Sequence, residues 1–228
     1  MNRVYLVRHG ENPANLNKQF SHRLIDYSLT QKGILQSHQT AQFFKNKQID
    51  AIYSSPLKRA HETAQIIAEE LDLEVHEFEE FREIDTGILE AQPPSKGNWD
   101  LYFSITADWF AGNADSSFPK GENYTRVIAR MRRGLELALN GRDNQNIIVV
   151  AHGGIFISTI KDLATNVDVE RLIRTENNNC SISELLLNGS DDHMTGEVVC
   201  WADCAHITGE AAQFVVPVPD EHSAVSRK

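Results

Sequence analysis

The fold is decided by the opening stretch Val4-Tyr5-Leu6-Val7-Arg8-His9-Gly10-Glu11, in which an apolar run passes directly into polar and charged residues. A run without polar alternation predicts a strand that is buried on both faces. The pattern recurs twice: Ala51-Ile52-Tyr53 runs into Ser54-Ser55-Pro56-Leu57-Lys58-Arg59, and Ile147 to Ala151 runs into His152-Gly153-Gly154. The three runs therefore predict buried strands of a parallel sheet.

Helical patterns lie between these strands. The clearest runs from Pro56 to Leu71, with Ser55 as the predicted N-cap and Pro56 as the first helical residue. A second runs from Glu122 to Leu139 and stops at Asn140-Gly141. Weaker patterns predict helices at Thr30 to Lys47 and Ile155 to Ala164, and strands at Ser181 to Leu187 and Glu197 to Trp201. Alternating strands and helices predict an α/β domain with a mostly parallel sheet.

We expect a single domain over residues 1–216, because 228 residues of which 41% are hydrophobic suit one large core. Residues 217–228 mix proline, charged and small polar residues and predict a loosely held tail. Residues 90–121 form an aromatic-rich insertion that we expect to fold over one end of the sheet. Core packing is the alternative for its aromatic residues, which include Trp99, Tyr102, Phe103, Trp109 and Phe110.

The formal net charge of -10 argues against nucleic acid and acidic membrane surfaces as partners, because the long-range field repels polyanions. An anionic substrate must then be captured by a local basic pocket. The first residues, in which Arg3 is followed at once by Val4-Tyr5-Leu6-Val7, predict neither a signal segment nor a membrane span. Its three cysteines, Cys180, Cys200 and Cys204, are an odd number without a C-x-x-C pair, which favours a reducing cytoplasm.

Histidine and arginine residues follow three of the predicted strands directly. Because parallel strands present their carboxyl ends at one edge, we expect Arg8, His9, Arg59 and His152 to meet there. Two imidazoles and two guanidiniums in an acidic protein would repel one another unless an anion is bound, and a tetrahedral phosphate fits. Arginine binds phosphate bidentately, and backbone amides after His152 add donors, with Gly153 and Gly154 allowing close approach.

The residues supply a nucleophile and an acid for phosphoryl transfer. A neutral imidazole attacks phosphorus without a metal or a separate base, so we expect no metal and no cofactor, and either His9 or His152 could serve. A carboxyl beside phosphate has its pKa raised by the negative charge and can protonate the leaving oxygen. Glu83 and Asp85 both offer that carboxyl, and residue chemistry alone does not choose between them.

Three motifs in order resemble those of the histidine phosphatase superfamily, also called the phosphoglycerate mutase-like family. Leu6-Val7-Arg8-His9-Gly10-Glu11 with Asn15 is similar to its opening signature. Ser54-Ser55-Pro56-Leu57 with Arg59, and Ala151-His152-Gly153-Gly154, are similar to its second and last motifs. Departures include Asn12, where a threonine or serine often stands, and Glu90-Ala91-Gln92 in place of a frequent Glu-Gly pair.

The resemblance implies a three-layer α/β/α sandwich of phosphoglycerate mutase-like fold and a metal-independent phosphomonoester hydrolase that acts through a phosphohistidine. It implies that His9 is the phosphorylated residue and favours Glu83 over Asp85 as the acid. The implied phosphate-binding residues are Arg8, Asn15, Arg59, His152 and Gly153. The substrate would be a small phosphorylated metabolite of unspecified structure.

Three other functions share some of the features of a phosphatase. A mutase would use the same first half-reaction, but glycolytic mutases of the family usually carry an Arg-His-Tyr run where Ile84-Asp85-Thr86 stands. A non-catalytic phosphate-binding domain would show degraded motifs, whereas Arg8 and His9 are intact. A zinc site at Cys200, Cys204 and His206 lacks a clear second pair of ligands. The hairpin from Ser181 to Trp201 is either a sheet edge or a subunit contact of a homodimer.

Overall fold

The computed structural model describes residues 1–90, 92–188 and 194–215. Six strands lie within these ranges: β1 (Asn2–Arg8), β2 (Ala51–Ser54), β3 (Val75–Glu77), β4 (Asn146–Ala151), β5 (Ile182–Asn188) and β6 (Thr195–Asp203). The α-helices of the same ranges are α1 (Pro13–Asn17), α2 (Gln31–Phe44), α3 (Lys58–Leu71), α4 (Lys96–Phe110), α5 (Tyr124–Leu139), α6 (Gly153–Thr159) and α7 (Val169–Arg174).

The strands form one sheet in the order β3-β2-β4-β1-β5-β6. Strands β1, β4, β2 and β3 are mutually parallel, whereas β5 and β6 form an antiparallel hairpin beside β1. Because β4 lies between β1 and β2, Arg8 pairs in register with Ala151, and Ser54 with Val150. The residues that follow these three strands therefore meet at one edge of the sheet, and the predicted mostly parallel sheet is confirmed.

Helices cover both faces of the sheet. Val4 and Leu6 of β1 face a core cluster that includes residues of α5 and α6, whereas Tyr5 and Val7 face a second cluster with residues of α2 and α3. Alternate residues of one strand thus enter two separate cores, as expected for a strand buried on both faces. The three-layer α/β/α sandwich is confirmed.

The start of α3 differs from the prediction. The helix begins at Lys58 with Leu57 as its N-cap, so Ser55 does not cap it and Pro56 lies outside it. The Ser55 hydroxyl bonds Nε2 of His152 instead, over 2.8 Å. The prediction that Ser55 caps α3 was therefore wrong, because the Ser55 hydroxyl bonds His152, which is distant in the sequence.

The other predicted helices also begin or end a few residues from their expected limits. Helix α2 starts after its N-cap Thr30 and ends at Phe44, and α5 starts after its N-cap Asn123. Helix α6 begins at Gly153 and passes at Ile160 into a 3-10 turn. Strand β3 was not predicted, because three partly exposed residues give no apolar run.

The aromatic segment contains α4, which begins after the N-cap Ser95. Trp109, near its carboxyl end, is 1% exposed in the core, whereas Trp99 and Tyr102, near its start, line a cavity at the edge of the sheet. The aromatic residues at the two ends of this helix therefore have different surroundings, one end in the core and the other at the cavity. Ala91 and the predicted tail at 217–228 lie outside the described residues.

Strand β6 forms one edge of the sheet, so the predicted hairpin is a sheet edge. Its Val199 is exposed. Of the helices in the described ranges, none combines the length and the apolar character needed to cross a membrane.

Close backbone packing joins α2 to the segment after His9. A Cβ on Gly33 would lie 2.1 Å from the backbone oxygen of Glu11. Thr30, the N-cap of α2, donates its backbone N–H to that oxygen over 2.9 Å and its hydroxyl to the Glu11 carboxylate over 2.8 Å. The start of α2 therefore fixes the backbone that leaves the sheet at His9.

We predict that Gly33→Ala lowers the free energy of unfolding by about 2 kcal/mol or more, because the methyl group must displace backbone atoms. Gly97→Ala in α4 is the matched control, since a Cβ there meets nothing within 4 Å. It should change stability little or raise it by roughly 0.5–1 kcal/mol. Urea denaturation of the two variants and the parent measures both effects, and equal stability of the two variants would contradict the packing argument.

Candidate active site

A cavity of about 850 Å³ opens at the edge of the sheet where β1, β2 and β4 end. Its lining includes Arg8, the last residue of β1, and His9, the next residue. Arg59 of α3, Gly153 of α6 and Glu83 line it as well. Residues from α4 and from the segment that contains α7 form its outer walls. The parallel sheet thus brings together residues that are far apart in the sequence.

The His9 ring is buried and has a defined tautomer. Its Nδ1 lies 2.7 Å from the backbone oxygen of Gly10, and the Nε of Arg59 donates to its Nε2 over 3.1 Å. Because a guanidinium only donates, Nε2 carries the lone pair and Nδ1 carries the proton. Burial lowers the pKa of His9 well below its ordinary value, and the charges of Arg59 and Arg8 lower it further. His9 is therefore a neutral imidazole.

Arg59 is held on two sides. Its Nε contacts His9, while its terminal nitrogens donate to the hydroxyl and the backbone oxygen of Ser21, each over 3.0 Å. Asp26 lies 3.9 Å away. Burial lowers the pKa of Arg59 to about 10, with Glu83 and Asp26 acting in the opposite direction. The guanidinium thus keeps its positive charge at neutral pH, next to the nucleophilic nitrogen.

Arg8 lies against Gly153, where a Cβ would stand 3.4 Å from its Cδ and Nε. It donates through a terminal nitrogen to the backbone oxygen of Asn177. Its Nε is buried and has no hydrogen-bond partner among the described residues. Burial lowers the pKa of Arg8, and the Glu83 carboxylate opposes that shift. Arg8 therefore offers a charged donor without an internal acceptor at the cavity.

His152 lies beside His9, with 5.2 Å between the ring centroids. Its Nε2 bonds the Ser55 hydroxyl, and its buried Nδ1 lacks a partner within the part of the chain that the structure describes. Burial lowers the pKa of His152 well below its ordinary value, and Arg59 and then His9 add to the shift. The two imidazoles are therefore neutral, and the two arginines carry the positive charge that can bind an anion.

The structure separates the two candidate acids. Glu83 lines the cavity, whereas Asp85 lies in a second cavity of about 350 Å³, 3.8 Å from His22. The Glu83 carboxylate accepts the backbone N–H groups of Gly154 and Ile155 over 3.0 and 2.8 Å. These α6 amides, expected to bind phosphate, are thus used by Glu83. A Cβ on Gly154 would lie 2.7 Å from the carboxylate, so the glycine makes room for it.

Asn15 also lines the cavity and is fixed by two neighbours. Its side-chain oxygen accepts the backbone N–H of Asn12 and the side-chain amide of Asn179, each over 3.1 Å. Asn179 also donates to the backbone oxygen of His9 over 3.0 Å. The Asn15 oxygen is thus occupied by two donors, so the amide nitrogen is the group left to bind a ligand. The unusual Asn12 caps α1 together with Asn15.

Glu90 organises the loop that holds Arg59. One of its oxygens accepts four successive backbone N–H groups, of residues 22–25, over 2.5 to 3.1 Å. This loop follows Ser21, whose hydroxyl and backbone oxygen bind Arg59. Glu90 is 4% exposed, and its carboxylate is held by the backbone amides of the loop. The sequence analysis named Glu90 only as part of a departure from the family pattern and missed Ser21 and Asn177, because the partners of all three lie far away in the sequence.

The arrangement joins a neutral nucleophilic nitrogen to two fixed cations and a carboxyl group. Within residues 1–90, 92–188 and 194–215, no three His, Cys, Asp or Glu side chains lie close enough together to hold a metal ion. The predicted alternative of a zinc site at Cys200, Cys204 and His206 is therefore not formed there, and His206 bonds Thr40 instead. Nucleophilic attack on a bound phosphoryl group is the chemistry that these groups support.

We predict that Glu90→Gln weakens the binding of inorganic phosphate about tenfold, because a neutral oxygen holds the four amides less strongly and Arg59 loses its fixed position. Glu69→Gln, the same change at an exposed position of α3, is the control and should leave the affinity unchanged. Isothermal titration measures the affinities, and thermal unfolding shows that both variants are folded. Equal phosphate affinity of the two folded variants would contradict the role of Glu90.

Comparison with known proteins agrees with this geometry. Residues 4–199 match the family described as the histidine phosphatase superfamily (branch 1). The chain is 32% identical to the putative phosphoserine phosphatase 2 of Hydrogenobacter thermophilus over 83% of this chain and 91% of that protein. It is also 32% identical to the probable phosphoglycerate mutase GpmB of Erwinia tasmaniensis, over 92% of this chain and 97% of that protein.

Solved structures show the same fold. The phosphoserine phosphatase of Entamoeba histolytica, in complex with 3-phosphoglyceric acid, superimposes with a TM-score of 0.73 at 25% identity. That match covers 91% of this chain and all of that chain. Bacillus stearothermophilus YhfR superimposes with a TM-score of 0.74 at 22% identity, over 91% of this chain and all of that chain. The family match over residues 4–199 and the 32% identity to the Hydrogenobacter and Erwinia relatives show that this chain belongs to the histidine phosphatase superfamily.

Proposed function

We propose that the protein hydrolyses a phosphomonoester in two steps and that His9 carries the phosphoryl group between them. The observation that carries the proposal is the unprotonated Nε2 of His9. This nitrogen accepts a hydrogen bond from Arg59 Nε over 3.1 Å, and burial lowers the pKa of the imidazole. A nucleophile needs such a lone pair and a fixed direction of attack. The two buried arginines beside it supply the charge that a phosphoryl group requires.

In the first step Nε2 of His9 forms a bond to phosphorus as the bond from phosphorus to the ester oxygen breaks. The electron pair of the broken bond goes to that oxygen, and the Glu83 carboxyl gives it a proton, so the alcohol leaves neutral. Arg8, Arg59, His152, Asn15 and the Gly153 backbone bind the phosphoryl oxygens. The Arg8 Nε, a buried donor without a partner among the described residues, supports this assignment. His152 is fully buried beside His9 and is not part of the cavity lining.

In the second step water attacks the phosphorus of the phosphohistidine. Its proton passes to the Glu83 carboxylate, the bond between nitrogen and phosphorus breaks, and the electron pair returns to Nε2. Inorganic phosphate leaves, and His9 and Glu83 regain their starting protonation states. Neither step needs a metal ion or an organic cofactor, because the arginines neutralise the phosphoryl charge and the imidazole is the nucleophile.

Hydrolysis is favoured over phosphate transfer between two positions of one substrate. Relatives carry names of both kinds, phosphoserine phosphatase and phosphoglycerate mutase. In this chain Ile84, Asp85 and Thr86 stand where glycolytic mutases of the family usually carry Arg-His-Tyr, and Asp85 lies in the second cavity. The chain therefore lacks cationic groups at these positions to turn a bound product for a second transfer.

The proposed place of action is the cytoplasm. All three cysteines are free, which suits a reducing compartment. A homodimer is the proposed assembly, formed through the outer edge of β6 beyond the part that Thr165 and Asn166 already bond at Gly196 and Val198.

We predict that the parent turns over p-nitrophenyl phosphate in the presence of EDTA and that His9→Ala loses at least about 10³-fold in kcat, because no second nucleophile is positioned. Mass spectrometry after an acid-free quench should detect an acid-labile phosphoryl group on the parent and none on His9→Ala. The exposed His38 of α2 offers the control His38→Ala, which should keep both the rate and the phosphoenzyme. A phosphatase that EDTA abolishes, or a His9→Ala variant with parental turnover, would contradict the mechanism.

A further inference from the structure

We propose that the alcohol part of the natural substrate is a large apolar group with at least one aromatic ring, bound against Phe20 and the side chains of α4. The inference rests on the proposed function, and it concerns the part of the cavity beyond the phosphoryl group. Four aromatic residues form this wall: Phe20, Trp99, Tyr102 and Phe103. They are called the aromatic wall below.

The size of the cavity favours a substrate larger than a phosphorylated three-carbon acid. Its volume is about 850 Å³. Pockets of roughly 300–1,000 Å³ hold ligands of drug size, so this cavity lies near the upper end of that range. Arg8, His9, Arg59 and Glu83 occupy one part of the lining and suit the phosphoryl group. Most of the remaining lining is available to the alcohol.

The rings of the aromatic wall are in mutual contact. The Phe20 centroid lies 4.6 Å from that of Trp99 and 5.3 Å from that of Tyr102. Phe103 continues the row at 5.7 Å from Trp99. Phe103 is 36% exposed although its ring is large and apolar. Phe20 belongs to the core and Trp99 and Tyr102 pack against it, so the aromatic wall continues from the core to the cavity lining. A contiguous aromatic surface that reaches a cavity binds a flat apolar ligand by stacking and by excluding water.

Tyr102 connects the aromatic wall to the reacting groups. Glu83 and Arg8 lie close enough for their charges to act on its phenol. Burial raises the pKa of Tyr102, and the Glu83 carboxylate raises it further, so the hydroxyl stays neutral. Tyr102 and Glu83 line the same cavity, so the aromatic wall and the proposed acid border one space. An alcohol attached to the ester oxygen would occupy that space.

The charges around the outer cavity do not favour a substrate with a second anionic group. Lys18 and Arg174 line this part of the cavity, but the acidic Asp100 and Glu176 line it as well. The outer lining thus carries two positive and two negative side chains, of which Asp100 also pairs with Lys96 over 2.9 Å, and the protein as a whole carries a net charge of -10. Ile157 of α6 and Ile173 of α7 add apolar surface to the lining. A neutral apolar alcohol fits this environment better than a carboxylate does.

The test compares phosphate esters of primary alcohols, so that the leaving groups are chemically alike. The esters are ethyl phosphate, benzyl phosphate, 3-phenylpropyl phosphate, O-phosphoserine and 3-phosphoglycerate. We expect kcat/KM to rise at least about tenfold from ethyl to 3-phenylpropyl phosphate, because each buried carbon adds binding energy in the transition state. We expect both carboxylated esters to be poorer substrates than benzyl phosphate.

Two variants locate the preference in the aromatic wall. Trp99→Leu and Phe103→Ala should each lower the ratio of kcat/KM for 3-phenylpropyl over ethyl phosphate about threefold to tenfold. Phe110→Leu is the matched control, because Phe110 lies on the same helix but packs against the core and does not line the cavity. It should keep the parental ratio.

The outcomes separate this inference from the proposed function. Equal kcat/KM across the series, or faster turnover of O-phosphoserine or 3-phosphoglycerate than of benzyl phosphate, would overturn the inference and leave a phosphatase. A preference for aromatic esters that neither Trp99→Leu nor Phe103→Ala reduces would also overturn it. Failure of the parent to hydrolyse any ester, with no phosphohistidine formed, would overturn the proposed function and the inference together.

Discussion

The hydrogen bond from Arg59 Nε to His9 Nε2 is the interaction on which the candidate active site depends. It holds the imidazole from the side of its lone pair, while the Gly10 carbonyl holds the opposite nitrogen. A ring fixed at both nitrogens cannot rotate, so its nucleophilic atom has one direction. The same bond brings a guanidinium next to the atom that would receive the phosphoryl group. Nucleophile and charge are therefore positioned together.

This bond exists because of the sheet. Strand β4 lies between β1 and β2, so His9, Arg59 and His152 converge from segments separated by about fifty to a hundred residues. Contacts far from the cavity then fix the individual groups. The backbone packing of Gly33 on Glu11 fixes the turn after His9. Glu90 fixes the loop that presents Ser21 to Arg59. The cost of burying two guanidiniums side by side is offset by backbone and hydroxyl acceptors from distant segments.

The sequence predicted the sheet and the convergence of its motifs because both follow from short patterns. An apolar run that ends in Arg8-His9 specifies a buried strand and the residue that follows it. The same reasoning failed at Ser55, which the local pattern predicts to cap α3 but which bonds the distant His152 instead. It also assigned no role to Glu90, Ser21 and Asn177, whose partners are a distant loop backbone, Arg59 and Arg8. Such roles become visible only when the chain is folded, since no residue type or spacing encodes a carbonyl acceptor.

The protonation state of His9 tests the account most directly, and nitrogen-15 NMR of histidine-labelled protein measures it, with His9 assigned by comparison with a His9→Asn variant. The account predicts a proton on Nδ1, a bare Nε2 and no titration near pH 6.5, the ordinary pKa of histidine, because burial, Arg59 and Arg8 all lower the pKa of His9. An Nε2 that stays unprotonated down to about one pH unit below the ordinary pKa of histidine would support the account. A His9 that is an imidazolium at neutral pH, or that carries its proton on Nε2, would contradict it.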